Sequence, residues 1–124
     1  MIDWLVQWLN MAFITEKHLD DCKDTYQLSD SIKKYTLMDT TFMKNKIGNF
    51  ELSRILEQVP NSGEGPLLKI IVKSDLSGFK LSITDKAGLR HINIFKSPEN
   101  KMIQDKFYFQ MNALIDRGVF KKVN

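Results

Sequence analysis

The residues best suited to chemistry sit in HLDDC, where His18 and Cys22 are four apart. On a helix they would share a face as a thiol–imidazole pair, the arrangement that activates a sulfur for nucleophilic catalysis. Their neighbours Asp20, Asp21 and Asp24 work against it, because nearby negative charge disfavours the thiolate. The second histidine, His91, is remote in sequence, and one cysteine cannot build a cluster at zinc-ligand spacing. GNFELS and SGEG lack the spacing of a phosphate loop and the Lys-Ser/Thr that would follow it. Asp39, Glu51 and Asp85 form no recognisable acid/base pair. The chain therefore reads as a non-enzymatic protein with no metal and no cofactor.

The elements that would position such residues follow from hydrophobic pattern. TEKHLDDCKDTYQLSD reads as a helical piece, and KYTLMDTTFM, alternating and β-branched, reads as a strand followed by a KNKIG turn. Residues 50–59 carry both periods, Phe50 and Leu52 for a strand and Leu52, Ile55, Leu56 and Val59 for a helix, and are taken as a strand entering a short helical turn. PNSGEGP is a loop. LLKIIVKSDLSGFKLSITDKAGLRHINIFK predicts a three-stranded antiparallel meander. Four-residue turns pair Val72 with Phe79, Ile70 with Leu81 and Leu68 with Ile83, then Leu81 with Ile92 and Phe79 with Ile94. In that register every large apolar group falls on one face, and a slip by one residue would expose them all.

SPENKMIQDKFYFQMNALIDRG has the marks of a helix at both ends: Ser97 as N-cap, Pro98 at the first position and Gly118 where a left-handed C′ residue belongs. Its apolar side carries Ile103, Phe107, Met111, Leu114 and Ile115, expected to cover the sheet face of Ile70, Leu81 and Ile92. The fold class expected is α+β in a single domain, 1–124, with about five antiparallel strands and helices at both ends.

At the N-terminus, MIDWLVQWLN places Asp3, Gln7 and Asn10 on one narrow stripe of a helix and apolar residues around the rest. The run is too short and interrupted to span a bilayer, and it lacks the basic start and clean apolar stretch of a signal peptide. Trp4 and Trp8, one turn apart, are expected to cover the core edge, with a partner grip as the competing use.

Hydrophobic residues at 43%, charged residues at 27% and a net charge of +3 describe an ordinary globular protein. A lone cysteine gives no sign of an oxidising compartment, so the cytoplasm is expected. The mild basicity is unclustered and argues against nucleic acid. The outer face of the meander carries Lys69 beside Ser82 beside His91, and Ile71 beside Lys80 beside Asn93, with Phe95 near the end. These are the candidate partner-binding residues, joined by an acidic patch of Glu16, Asp20, Asp21 and Asp24.

In size, in the Lys/Asn/Ile-rich style of FKLSITDKAGLRHINIFKSPENK and in its order of helix, meander and helix, the chain resembles small bacterial immunity proteins that neutralise polymorphic toxins. The resemblance implies a cytoplasmic protein that binds one toxin domain and occludes its active site. A secretion-type chaperone or adaptor, and a small nucleic-acid-binding module using the basic sheet face, are the alternatives.

Overall fold

The computed structural model describes residues 13–123. Trp4, Trp8 and the expected N-terminal helix lie outside them. The elements are β1 (Glu16–His18), β2 (Thr25–Leu28), α1 (Lys34–Asp39), β3 (Met43–Lys44), β4 (Phe50–Ile55), β5 (Leu67–Val72), β6 (Phe79–Thr84), α2 (Lys101–Asp116) and β7 (Phe120–Val123). A single 3-10 turn, Pro98–Asn100, leads into α2. The strands form two antiparallel sheets, one ordered β3-β4-β5-β6 and the other β1-β2-β7, so the class is α+β.

The centre of the larger sheet follows its alternation. Phe50 and Leu52, then Leu68, Ile70 and Val72, then Phe79, Leu81 and Ile83 all turn inward and are buried. The β5–β6 register is the expected one, with Val72 opposite Phe79, Ile70 opposite Leu81 and Leu68 opposite Ile83. α2 lays Ile103, Phe107, Met111 and Leu114 on the core at helical spacing. Ser97 caps its approach by accepting from the Glu99 N–H. At its far end Gly118 adopts φ +84°, and the Val119 N–H returns to the Leu114 carbonyl at 2.9 Å. β7 then pairs with β2, which brings the Phe120 ring to 5.1 Å from the Phe79 ring and joins the two sheets through one aromatic contact.

Four expectations are corrected. TEKHLDDCKDTYQLSD is a hairpin, because Tyr26 is a fully buried strand residue and Asp21, at φ +64°, turns the chain between β1 and β2. KYTLMDTTFM holds α1 and then β3. Leu37 and Phe42 are its buried anchors, and Thr40 closes the helix by donating its hydroxyl to the Thr36 and Leu37 carbonyls. Residues 50–55 are a strand, with no helical turn after it. The third meander strand is reduced to a bridge between Thr84 and His91. Asn93 accepts from the Phe95 N–H, and Gln104 of α2 donates to the Ile94 carbonyl, so this segment is turned off the sheet toward the helix. The edge expected for Ile94, opposite Phe79, is taken by Ile14, and Ile92 is left 36% exposed.

Candidate functional site

The departure of that third strand creates the site. Alternation assigns each residue of β6 to one neighbour or the other. The Lys73 N–H reaches the Gly78 carbonyl, so Lys80, Ser82 and Thr84 bond to β5, while Phe79, Leu81 and Ile83 direct their peptide groups to the free edge. Phe79 is satisfied there by Ile14, which gives and receives one bond at 2.9 Å each. At Ile83 the carbonyl accepts the Ile92 N–H at 3.0 Å, while the Ile83 N–H meets no partner among the described residues. Between them the Leu81 N–H and C=O meet no partner among the described residues, although Leu81 as a whole is only 4% exposed. Buried peptide groups without partners are rare.

Gly78 makes the close approach on one side possible: a Cβ there would stand 3.1 Å from the Ile14 carbonyl oxygen and 3.3 Å from the Phe13 Cβ. Asn93 fixes the other side, donating to Asp21 Oδ2 at 2.8 Å while its own oxygen holds the Phe95 N–H. A cleft of about 490 Å³ opens at the gap, lined by Lys17, His18, Leu19 and Asp20 of the first hairpin, by Leu81, Ser82 and Ile83 of β6, and by His91, Ile92, Asn93 and Phe95. A second depression, about 410 Å³, shares Lys17, Leu81, Ser82 and His91 and continues over the outer face to Lys69, Ile71 and Lys80. Both volumes lie in the range of small-molecule sites.

The charges are sorted along this groove. Lys17 has no carboxylate within ion-pair distance among the described residues, and Lys69 sits 3.7 Å from Glu51. Lys80 lies over the Phe13 ring at 4.9 Å; partial burial lowers the pKa of its ammonium, and the charge of Lys69 lowers it further. Asp20 is the carboxylate of the first cleft. His18 donates from Nε2 to the Cys22 carbonyl at 2.6 Å, which leaves Nδ1 as its other polar atom.

All seven candidate residues of the meander, Lys69, Ile71, Lys80, Ser82, His91, Asn93 and Phe95, line one or both depressions. The acidic patch is dispersed: Glu16 accepts from Gln27, Asp20 enters the cleft, Asp21 holds Asn93, and Asp24 faces Lys122 at 3.6 Å. The thiol–imidazole pair that a helix here would have allowed does not form, since His18 meets the carbonyl of Cys22 and the sulfur is buried against Tyr108. Sequence reasoning missed Lys17, Leu19 and Ile92 as cleft residues. No periodicity could have found the gap at Leu81, which exists because two distant segments stop short of each other.

A second polar cluster lies beneath α2. The Tyr108 hydroxyl accepts from the Lys23 N–H at 3.2 Å and donates to Cys22 Sγ at 3.7 Å. The Tyr26 hydroxyl and Asp24 Oδ2 are buried close to one another without hydrogen-bond partners, and Asp24 Oδ2 has the Lys122 ammonium 3.6 Å away as its ion-pair partner. Burial first, then the nearby Cys22 and Asp24, push the Tyr26 phenol far up; burial is also the main reason that Tyr108 is raised to about 12. Phe107 closes the cluster, its ring 6.1 Å from Tyr26 and 5.4 Å from Tyr108. Phe95 packs on Phe107 at 5.2 Å while lining the cleft, so it touches both regions. The described residues hold no cluster of three or more metal-ligating side chains and no helix long and apolar enough to cross a membrane.

Residues 11–121 match the DUF1831 family, whose description reads "Putative amino acid metabolism". A crystal structure of a DUF1831 family protein from Lactobacillus plantarum superposes with a TM-score of 0.83 at 32% identity, over 91% of this chain and 99% of that one. No curated protein matches the chain. These findings overturn the resemblance to bacterial immunity proteins and the toxin-neutralising function drawn from it. They give no support to the chaperone, adaptor or nucleic-acid alternatives either. The resemblance failed because size, composition and element order are shared by many unrelated folds.

Proposed function

Since the chain belongs to the DUF1831 family, we propose that it serves amino acid metabolism by binding a free amino acid at the open position of β6, as a binding protein that does not turn its ligand over. The observation that carries this is the Leu81 N–H and C=O, which meet no partner among the described residues, at the floor of the cleft between Ile14 and Ile92. Ile14 occupies the edge at Phe79 and Ile92 covers the Ile83 carbonyl, which favours a ligand about one residue long over a longer peptide strand. A free amino acid carries both groups required: its ammonium donates to the Leu81 carbonyl and its carboxylate accepts from the Leu81 N–H, as an opposed residue of an antiparallel pair would.

The surrounding charges fit that orientation. In an antiparallel pair the carboxylate lies toward the start of β6, where Ile14 and Lys80 stand, and the ammonium toward Ile83 and Ile92, while Lys17 and Asp20 line the cleft as a cation and an anion available to the two groups. Titrating the protein calorimetrically with each of the twenty L-amino acids tests the reading. A one-to-one complex with at least one of them is expected, and its absence for all twenty at millimolar ligand would refute it.

A further inference from the structure

We infer that the ligand of this cleft is an L-amino acid with a large apolar side chain. The inference rests on the one-residue pairing with Leu81 just described. Opposed residues of an antiparallel pair send their side chains to the same face of the sheet. Leu81 and Ile83 project to the buried face, and Lys80 and Ser82 to the outer one. With the ligand's direction set by its ammonium and carboxylate, the L configuration places its side chain on the Leu81 face. There the cleft offers Leu19, Ile92 and the edge of Phe95. The D enantiomer, held by the same two bonds, would send its side chain to the outer face among Lys69, Lys80 and Ser82.

The two faces therefore discriminate by different chemistry. On the Leu81 side the charged groups, Lys17 and Asp20, are the ones matched to the ligand's own carboxylate and ammonium. An ionised side chain set against Leu19, Ile92 and Phe95 would be desolvated among apolar groups that offer it no counter-charge. Ile92 is the residue that the sheet would have buried had the third strand continued. Its 36% exposure is an apolar surface that a ligand side chain would cover.

Calorimetry on the full chain with L-leucine, L-phenylalanine, D-leucine, L-glutamate and L-lysine tests this. L-leucine or L-phenylalanine is expected to bind at least tenfold more tightly than the other three. Ile92→Asp, at a position exposed enough to keep the fold, should weaken L-leucine at least tenfold while the melting temperature of the free protein is retained. Binding of D-leucine, L-glutamate or L-lysine as tight as that of L-leucine overturns the inference and leaves the cleft reading standing. Failure of all twenty amino acids overturns both.

Discussion

Among the described residues, two regions hold buried polar groups without hydrogen-bond partners, and they differ in what lies over them. At Leu81 the orphaned groups are a peptide N–H and C=O at the floor of an open cleft. Under α2 they are the Tyr26 hydroxyl, whose ring packs against Phe107 and Phe120, and Asp24 Oδ2, which has the Lys122 ammonium 3.6 Å away. The Tyr26 hydroxyl is closed off by its burial, which pushes the phenol far up and keeps it neutral. The open pair can be satisfied from outside. Access, more than polarity, separates a binding site from a strained corner of the core.

The contrast can be broken first at the seal. Phe107 is fully buried, so Phe107→Ala is expected to cost about 3–5 kcal/mol in urea denaturation. A loss under about 1 kcal/mol would mean that the cluster is not closed by this ring. On the open side, Lys17→Met is expected to weaken amino acid binding about tenfold, or about 1.4 kcal/mol, with little change in melting temperature. A stability loss as large as that of Phe107→Ala would make Lys17 structural. Gly78→Ala should cost on the order of 1 kcal/mol by crowding Ile14 and Phe13, and should speed exchange of the Phe79 amide as its bond to Ile14 loosens.

The smallest effect belongs to Tyr26→Phe, which removes a hydroxyl that has no partner and should shift stability by less than about 1 kcal/mol. Its signature is the pH profile. A phenol whose folded pKa is raised favours the fold fully below about pH 10, and that contribution is lost as pH rises through the folded value, about 12 for Tyr108 and higher for Tyr26. Tyr26→Phe deletes the larger of the two liabilities, so the alkaline unfolding midpoint should move to higher pH. A midpoint that falls would show the Tyr26 hydroxyl to be stabilising.

The same contrast governs what could be read from sequence. The β5–β6 register, the body of α2 and its Gly118 ending were legible because local alternation and turn residues agree there, while Ser97 and Pro98 open the 3-10 turn that leads into α2 and its own N-cap is Asn100. The first hairpin was not. In EKHLDDCKDTYQL the apolar residues are too sparse to set a period, and Tyr26 becomes a strand residue only because β7, almost a hundred residues later, pairs with it. FKKV carries no strand signal of its own. Lys69, Ile71, Lys80 and Ser82 came together at the groove because the β5–β6 pairing fixes their face, whereas His91, Asn93 and Phe95 reach it through the segment that leaves the sheet. Lys17 and Leu19 joined them through the misread hairpin, and the gap at Leu81 depends on Ile14 and Asn93 together, which no local pattern contains.

The most direct test of the account is amide hydrogen exchange along β6, followed by NMR with and without saturating L-leucine. In the free protein the Leu81 amide should exchange faster than those of Phe79 and Ser82, which are hydrogen-bonded on opposite sides of the strand. The ligand should slow Leu81 selectively. A Leu81 amide already as protected as Phe79, or one unchanged by a ligand that calorimetry shows to bind, would contradict the claim that this edge is where the amino acid sits.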